Sequence, residues 1–489
     1  MRSKFSFPVR SRLRVLHLVG VLSLMLLTST MLAQTVTTVL TFYENNGMYP
    51  NWGWTQGRDG RLYGTTNGGP WYGPGSPDAG EFARFDPSTL DFAIFRAFTG
   101  VDGDGLFPTS GVTLGSDNYF YGTTPLGGAY GYGVLYKITM NGTYTVLHEF
   151  TGGLDGAWPS GPPIEAADGN FYGTTSQYGY VNVRQNPSTV YKLTRDGVYN
   201  LVYSSTIASG TVFAGLIQGG DGKLYVTASA GGTWDCGKVA KIALYGKLLA
   251  TDGFYCADGL WNPVNTDGQD PVGALTMASD GSYYGVTLHG GTYGKGTLFQ
   301  LTPALGKTVL YNFGASQADG ILPDGNLVQG TDGNLYGTTH TSNDCNWLWC
   351  GPATLFQWSL SSGYRQLYVF PDDNIIVATE GGLMQHTNGL FYGQASSNSN
   401  GSIFSLDMGL GPFVALVRPQ GKVGSNAQIL GQGLIGTSSV TFNGIAATSF
   451  NVVSDTYMTA VAPTGATTGP IVVTTPTGSL KSNRNFTVP

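Results

Sequence analysis

A short phrase that recurs along the chain limits what the chain can fold into. Residues 332–340 read DGNLYGTTH, and six other stretches repeat or approximate this phrase. Its tyrosines fall about 55 residues apart, a period that indicates a tandem structural repeat. They are Tyr63, Tyr121, Tyr172, Tyr225, Tyr284, Tyr336 and Tyr392. Because the motif is present in every repeat, we expect it to build the fold rather than to form an active site.

Each repeat contains four runs that are typical of β-strands. In residues 111–150 these runs are GVTLGS, YFYGTT, GVLYKIT and YTVLHEF. Asp-Gly or Asn-Gly pairs separate the first run from the second and the third from the fourth, as tight hairpins require. Four antiparallel strands in each of seven repeats predict an all-β chain with a seven-bladed β-propeller over residues 34–410.

The chain also carries a spare copy of the fourth-strand run. TTVLTFY at residues 37–43 precedes the first repeat, whereas no convincing fourth strand directly follows GSIFSLD at residues 401–407. We therefore expect the N-terminal segment to supply the outer strand of the last blade. That pairing would close the ring and cover an exposed strand edge.

The phrases DGxLYGTT, GG…GTLFxLT and TVLYxF resemble the GloVer tandem-repeat family of exported bacterial proteins, often called choice-of-anchor proteins. The resemblance covers roughly residues 35–410. It implies a propeller-like exported protein, and the family carries no established activity that could be transferred to this chain.

Residues 411–489 have a different pattern, in which Val and Thr alternate and the Asp-Gly phrase is absent. VTFNG, VAPTGATTGPIVVTT and the closing FTV resemble an IPT/TIG domain. That resemblance implies a small immunoglobulin-like β-sandwich after the propeller. Such modules act mostly as spacers or as binding modules, and the fold alone does not decide which.

The N-terminus predicts export. Residues 1–33 combine a basic start, the apolar run VLHLVGVLSLMLL and a small residue, Ala33, before Gln34, which is typical of a cleaved signal peptide. An uncleaved signal anchor is the alternative. With cleavage, we expect a secreted or cell-surface protein that keeps no integral membrane span.

The four cysteines fit an exported protein, since an even number in this setting predicts two disulfides. Metal binding would require C-x-x-C pairs or interleaved histidines, and neither spacing occurs. The connections in which the cysteines lie predict the pairs Cys236–Cys256 and Cys345–Cys350.

Charge and motifs exclude several classes of function. Five of the 24 Lys and Arg residues and none of the 30 Asp and Glu residues lie in residues 1–33, so the mature chain has a net charge of −11 (19 − 30). An acidic chain without basic clusters argues against nucleic acid or an anionic membrane as partner. The G-x-S-x-G, H-E-x-x-H and Walker motifs are absent. The sequence therefore predicts no catalytic residues, no metal and no cofactor.

Histidines and loop carboxylates form no cluster in the sequence. His289 and His340 each follow a second strand, without carboxylates grouped around them. The loop carboxylates are each followed by glycine and so indicate turns. They are Asp102, Asp104, Asp155, Asp267, Asp319 and Asp324.

Tryptophans concentrate in the long connections, which join the second strand to the third and each repeat to the next. In a propeller these connections emerge on one face. The candidate ligand-binding residues are Trp71, Trp158, Trp234 and Trp261, from four different repeats. Exposed aromatic rings stack on sugars and anchor protein partners, although the same rings could simply pack the loops together.

Two functions follow from this pattern. The first is a monomeric, non-catalytic binding or scaffold protein whose ligand is an extracellular glycan or protein. The alternative is an enzyme of the glycoside hydrolase or polysaccharide lyase type, which needs two carboxylates facing one cleft.

Overall fold

The computed structural model describes residues 34–42, 52–66, 79–108, 110–176, 187–206, 210–256, 267–316, 319–340, 353–370, 382–396 and 401–488. Within these residues the chain is all-β and has no helix. Seven antiparallel sheets of four or five strands follow one another over residues 35–407, and two four-stranded sheets follow over residues 415–486. They are numbered here as sheets 1 to 9.

The strands are as follows. Sheet 1 contains Trp52–Gln56, Leu62–Thr66, Glu81–Phe85 and Phe92–Ala97. Sheet 2 contains Thr113–Leu114, Phe120–Thr124, Val134–Ile138 and Tyr144–Glu149, and beside it Gly105–Leu106 pairs with Leu126–Gly127. Sheet 3 contains Ala157–Pro159, Ile164–Glu165, Phe171–Ser176, Thr189–Leu193 and Tyr199–Ser204. Sheet 4 contains Val212–Gln218, Leu224–Ala230, Lys238–Ile242 and Leu248–Gly253.

The remaining sheets repeat this plan. Sheet 5 contains Gln269–Met277, Tyr283–His289, Thr297–Leu301 and Lys307–Asn312. Sheet 6 contains Pro323–Gln329, Leu335–Thr339, Thr354–Ser359 and Gly363–Val369. Sheet 7 contains Met384–Gln385, Phe391–Ser396, Gly401–Asp407 and, from the other end of the chain, Thr35–Thr41. Sheet 8 contains Ala415–Leu416, Asn426–Leu430, Phe450–Val452 and Tyr457–Val461. Sheet 9 contains Ser439–Phe442, Ile445–Ala446, Gly469–Thr475 and Gly478–Phe486.

The strand ends of each of sheets 1 to 7 form two opposite rims, which are called here the turn edge and the loop edge. The turn edge carries the tight turns that join the first strand to the second and, in sheets 1 to 6, the third to the fourth. The loop edge carries the longer connection from the second strand to the third and the connection to the next sheet. This arrangement of successive four-stranded sheets is propeller-like.

The recurring phrase builds the turn between the first and second strands. In sheet 6, Asp332 accepts hydrogen bonds from the backbone N–H of Asn334 (3.2 Å) and from the hydroxyl of Tyr336 (2.8 Å). The same Asp-to-Tyr bond is present in five other sheets, in the pairs Asp59–Tyr63, Asp117–Tyr121, Asp168–Tyr172, Asp221–Tyr225 and Asp280–Tyr284. The aspartate thus fixes the turn and also satisfies the hydroxyl of a buried tyrosine.

The glycine of the phrase makes room for an aromatic ring on the third strand. Gly337 pairs with Phe356, and a Cβ atom at Gly337 would lie 2.5 Å from the tip of that ring. The same pairing occurs in Gly122–Tyr136, Gly173–Tyr191, Gly285–Phe299 and Gly393–Phe404. Sheet 4 reverses the sizes, because Val226 pairs there with Ala240. In sheet 1, Gly64 pairs with Ala83, and the ring nearest to Gly64 is that of Trp54 on the first strand. The strand that supplies the large residue therefore differs between sheets.

Neighbouring sheets are joined by the side chain that ends a first strand. Gln329 of sheet 6 accepts a hydrogen bond from the backbone N–H of Ser279 in sheet 5 (2.8 Å). Equivalent bonds join Glu165 to Ser116, Gln218 to Ala167, Gln385 to Thr331 and Gln56 to Thr387. The last of these joins sheet 1 to sheet 7, so the contacts between sheets return from the last sheet to the first.

The N-terminal strand pairs as the sequence predicts. Thr35–Thr41 lies antiparallel to Gly401–Asp407, with Thr35 opposite Asp407 and Thr41 opposite Ser402. The next residue, Phe42, is fully buried between sheets 7 and 1. The N-terminal and C-terminal ends of the repeat region therefore lie in one sheet.

Sheets 8 and 9 enclose their own apolar core, which includes Ile429, Phe442, Met458, Ile471 and Val473. This unit packs on the turn edges of sheets 1, 2, 3 and 7. The contacts are Thr456 with the carbonyl of Arg58 (2.7 Å), Gln428 with the carbonyl of Ser116 (2.7 Å), Arg418 with Glu165 (3.7 Å) and the N–H of Phe413 with the carbonyl of Thr387 (3.2 Å).

A buried histidine lies where sheet 7 meets sheet 1. His386 is 3% exposed; its Nε2 donates to the carbonyl of Gly60 (2.8 Å) and its Nδ1 accepts from the N–H of Asn388 (3.2 Å). These partners favour the neutral ring with its proton on Nε2, since a second proton on Nδ1 would face the N–H of Asn388. Burial lowers the pKa of His386, and the bond to Gly60 only partly opposes this.

We expect this histidine to make stability pH-dependent. The folded-state pKa of His386 lies below its ordinary value of about 6.5, so below that pH the unfolded chain takes up the proton first. The free energy of unfolding should therefore fall as pH decreases from 7.5 to 5, by up to about 1.4 kcal/mol per pH unit for this group. His386→Gln should be less stable at pH 7.5 but should show a shallower slope in urea unfolding measured across this range. A slope identical to that of the wild type would show that His386 does not titrate in this range.

Candidate functional site

Sheets 2, 4 and 5 share one loop between their second and third strands. The loops are residues 127–133, 231–237 and 290–296, and each begins with Gly-Gly and ends with Gly. In each loop the N–H of the last glycine donates to the carbonyl of the first, at 3.0, 3.1 and 3.0 Å. The fifth position is left-handed in all three, with φ of 78° at Gly131, 58° at Asp235 and 69° at Gly294. Three separate sheets thus present one backbone shape at their loop edges.

The fourth residue of each loop is an exposed aromatic. Tyr130, Trp234 and Tyr293 are 60%, 48% and 48% exposed, and they are called the tip aromatics below. Trp234 is a candidate predicted from the sequence, whereas Tyr130 and Tyr293 are not, since the prediction rests on tryptophans alone. The spacing Gly-Gly-x-aromatic is the signal that finds all three, and Trp71 has the same spacing in GGPW.

A disulfide braces one of the tip aromatics. Cys236 and Cys256 are bonded, which confirms the predicted pair. The adjacent rings of Trp234 and Tyr255 meet edge to face with their centroids 5.2 Å apart, and about half of the Tyr255 side chain is exposed. The crosslink thus fixes two aromatic rings without burying them. The other predicted pair, Cys345 and Cys350, lies outside the described residues.

The candidate tryptophans do not share one environment. Trp158 is half-buried, and its ring packs edge to face on Tyr132 with centroids 5.6 Å apart. Its backbone is left-handed (φ 49°), and its N–H donates to the carbonyl of Tyr132 (3.0 Å). Trp158 therefore helps to join sheets 2 and 3, whereas Trp234 is exposed. Trp71 and Trp261 lie outside the described residues.

Three carboxylates at the loop edges stabilise the connections between sheets. Asp104 accepts from the N–H of Thr99 (2.9 Å), Asp155 from that of Thr151 (2.9 Å) and Asp319 from that of Gly314 (2.9 Å). Asp104 also forms an ion pair with Arg96 (2.9 Å). These contacts agree with the turn role expected from the Asp-Gly sequences.

Two other carboxylates lie close together beside the disulfide. The ammonium of Lys307 is 2.8 Å from Asp267 and 3.5 Å from Asp252, and it lies 3.7 Å from the centre of the Phe254 ring. Burial raises the pKa of Asp252, while Lys307 opposes the shift. Asp267 also accepts from the N–H of Tyr255 (3.2 Å). This cluster supports the connection that carries Tyr255.

The fold brings two histidines beside carboxylates that are distant in sequence. His289 Nδ1 lies 2.9 Å from Asp270 Oδ2 in sheet 5. In sheet 6, burial raises the pKa of Asp324, and the charge of His340 opposes that shift. Each aspartate comes from a first strand and each histidine from the end of the adjacent second strand. Cross-strand register, which a linear search does not see, creates both pairs.

Two kinds of feature are absent from the described part of the chain, a metal-ligand cluster and a membrane-spanning helix. Its His, Cys, Asp and Glu side chains include no group of three or more that could hold a metal ion. It also has no helix that is long and apolar enough to cross a membrane.

These features define a propeller-like, all-β repeat protein that presents exposed aromatic rings on recurring loops. The chain belongs to the family described as the Gloeobacter/Verrucomicrobia repeat, whose model matches residues 26–240 and 213–452. A comparison with curated proteins found no match.

Several solved structures resemble the chain. PorZ, a surface component of the type-IX secretion system of Porphyromonas gingivalis, is 14% identical over 91% of this chain and 60% of PorZ, with a TM-score of 0.49. The periplasmic gluconolactonase PpgL of Pseudomonas aeruginosa is 15% identical over 68% of this chain and 92% of PpgL, with a TM-score of 0.43. A luciferin-regenerating enzyme is 13% identical over 78% of this chain and 97% of the enzyme's chain, with a TM-score of 0.40. None of these similarities is close enough to support an activity.

Proposed function

We propose that this chain is an exported, non-catalytic binding protein that recognises an extracellular glycan through its tip aromatics. Its architecture is a closed seven-bladed β-propeller over residues 34–410, followed by an IPT/TIG-like sandwich over residues 411–489. The signal peptide at residues 1–33 directs export. The observation that carries the proposal is the recurrence of one exposed aromatic on one loop shape in three sheets.

The propeller assignment rests on the contacts between sheets. The bond that joins Gln329 to Ser279 has a counterpart between sheets 7 and 1, in the bond of Gln56 with Thr387. A linear stack of sheets would leave its first and last members apart, whereas a ring brings them together. The N-terminal strand in sheet 7 adds a second link across the same junction.

The chemistry of the loop edges favours sugar over a charged ligand. Tyr130, Trp234 and Tyr293 offer flat apolar faces, and a sugar ring presents a matching face of C–H groups. The bond between Cys236 and Cys256 holds one such face in place before any ligand arrives, which reduces the entropy lost on binding. The opposite, turn edges of four sheets are covered by residues 411–488.

The first test is a glycan array on the mature protein, followed by calorimetry on the strongest ligand. We expect Trp234→Ala to weaken binding by about 2 kcal/mol, the loss typical of a central aromatic contact. Unfolding should change little, because about half of the side chain is already exposed. Tyr130→Ala and Tyr293→Ala should weaken binding through the same surface.

Tyr245 provides a matched control, since it is 78% exposed and lies at the turn edge of sheet 4. Tyr245→Ala should leave glycan affinity unchanged. Equal losses for Tyr245→Ala and Trp234→Ala would contradict the proposed surface. Early melting of Trp234→Ala with unchanged affinity would show that Trp234 belongs to the scaffold.

An enzyme that acts on extracellular carbohydrate is the second candidate. The observation in its favour is Asp324, whose raised pKa beside His340 suits a general acid. Asp324 also accepts a hydrogen bond from the backbone N–H of Gly325 (2.7 Å). Three other loop-edge carboxylates hold backbone N–H groups, and Asp267 lies against Lys307. Hydrolysis of a bound glycan that is lost in Asp324→Asn would favour this candidate over the first.

A further inference from the structure

A cleft opens between sheets 5 and 6 at their turn edges, away from the tip aromatics. Its volume is about 280 Å³, and its walls include Asp280, Tyr284, Asp332, Asn334, Trp358 and Leu360. Among the described residues that line it there are two carboxylates and no Lys, Arg or His. The cleft is therefore acidic without an internal counter-charge.

The repeats provide internal comparisons for this cleft. At the junction of sheets 2 and 3, Arg195 reaches across from the turn after the third strand. It donates to the carbonyl of Gly169 (3.1 Å), forms an ion pair with Glu165 (2.5 Å) and contacts the hydroxyl of Ser116. A guanidinium group of the chain itself thus occupies that junction.

Two other junctions are also occupied by protein groups. At sheets 4 and 5, the carbonyl of Pro303 accepts from Tyr225 (3.1 Å) and Lys241 (2.9 Å). At sheets 1 and 2, Gln428 of the C-terminal unit donates to the carbonyl of Ser116 (2.7 Å). The group differs, but each of these three junctions contains one.

The junction of sheets 5 and 6 departs from this pattern at two residues. Leu193 pairs with Tyr199 as Trp358 pairs with Tyr364, so Leu360 stands where Arg195 stands in sheet 3. Leu360 is 68% exposed and leaves the cleft open.

Trp358 stands where sheets 2 to 5 have a buried aliphatic residue and sheet 1 has the buried Phe85. The equivalent third-strand residues Ile138, Leu193, Ile242 and Leu301 are fully buried. Trp358 is partly exposed and forms a wall of the cleft. The partly exposed ring of Trp358 and the exposed Leu360 thus give this cleft a lining that differs from the junctions described above.

We propose that this cleft binds a guanidinium group, presented as an arginine side chain by a partner protein. Trp358 supplies an aromatic face for the cation, and Asp280 and Asp332 supply the opposite charge. The ligand takes the place that Arg195 takes between sheets 2 and 3. This site is separate from the tip aromatics, which are proposed to bind the glycan.

The test uses N-acetyl-arginine amide as the probe, titrated into the full chain and followed by NMR. N-acetyl-citrulline amide, which has nearly the same shape but no charge, is the matched ligand. We expect saturable binding of the arginine probe and about tenfold weaker binding of the citrulline probe, the difference typical of a cation on an aromatic face.

Two variants place residues from other repeats in the cleft, so both should fold. Trp358→Leu restores the side chain found at Leu193 and should weaken the arginine probe by about tenfold. The double variant Leu360→Arg with Gln329→Glu recreates the pair formed by Arg195 and Glu165 and should abolish binding. Trp234→Ala should leave this binding unchanged.

Three results would overturn the proposal. The first is equal binding of the arginine and citrulline probes, or no saturable binding of either. The second is unchanged affinity in the Leu360→Arg, Gln329→Glu variant, with folding confirmed by its unfolding curve. The third is tighter binding of a neutral sugar such as methyl glucoside in this cleft, which would make its ligand a polyol.

Discussion

Replacement of Thr35–Thr41 by a seven-residue Gly/Ser linker is expected to lower the free energy of unfolding by on the order of 5 kcal/mol. The strand forms a ladder with Gly401–Asp407. It packs Val36 against sheets 6 and 7, and Val39 and Leu40 against sheets 7 and 1. The linker removes both contributions and exposes the edge of the third strand of sheet 7. Urea unfolding of the full chain with and without the linker measures the effect.

A synthetic peptide of residues 34–42 should restore much of this stability when it is added to the linker variant, because it can occupy the open edge as a new strand. Substitution of the exposed Thr35, Thr37 and Thr38 by serine keeps the ladder and the apolar contacts and is the matched control. That variant should unfold like the wild type. If the linker variant unfolds like the wild type too, the N-terminal strand does not stabilise the repeat region.

Much of the fold follows from the sequence because its determinants are local. Asp-Gly and Asn-Gly specify the hairpins, and the alternation around Tyr336 and its counterparts specifies the strands. The spare fourth-strand run also identifies its partner, since residues 401–407 would otherwise form an unpaired edge. The pairing of Cys236 with Cys256 follows from the same placement of the connections.

The candidate sites are less visible because they depend on contacts between strands and sheets. Asp270 and His289 are 19 residues apart, and only the register of the two strands brings them together. The open cleft at Trp358 is recognised by comparison with the junction that Arg195 fills. Tyr130 and Tyr293 could have been found from the Gly-Gly-x-aromatic spacing, but only the structure shows that both are exposed.

The paired volumes of the second and third strands lead to the other large expected effect. Gly337→Val should destabilise the protein by about 3 kcal/mol or more, because the new side chain overlaps the ring of Phe356 in a packed interior. Phe356→Ala should cost about 3–5 kcal/mol through the cavity that it leaves. Chemical unfolding of the two single variants measures both losses.

The double variant Gly337→Val, Phe356→Ala copies the arrangement of Val226 and Ala240 in sheet 4. Valine then fills part of the space left by the ring, and the overlap at residue 337 disappears. We therefore expect the double variant to be more stable than the sum of the two single losses predicts, with a coupling energy of about 1–3 kcal/mol. Losses that simply add would mean that residues 337 and 356 do not share one volume. Sheet 4 would then differ from the sheets that pair glycine with an aromatic ring for a reason unrelated to packing.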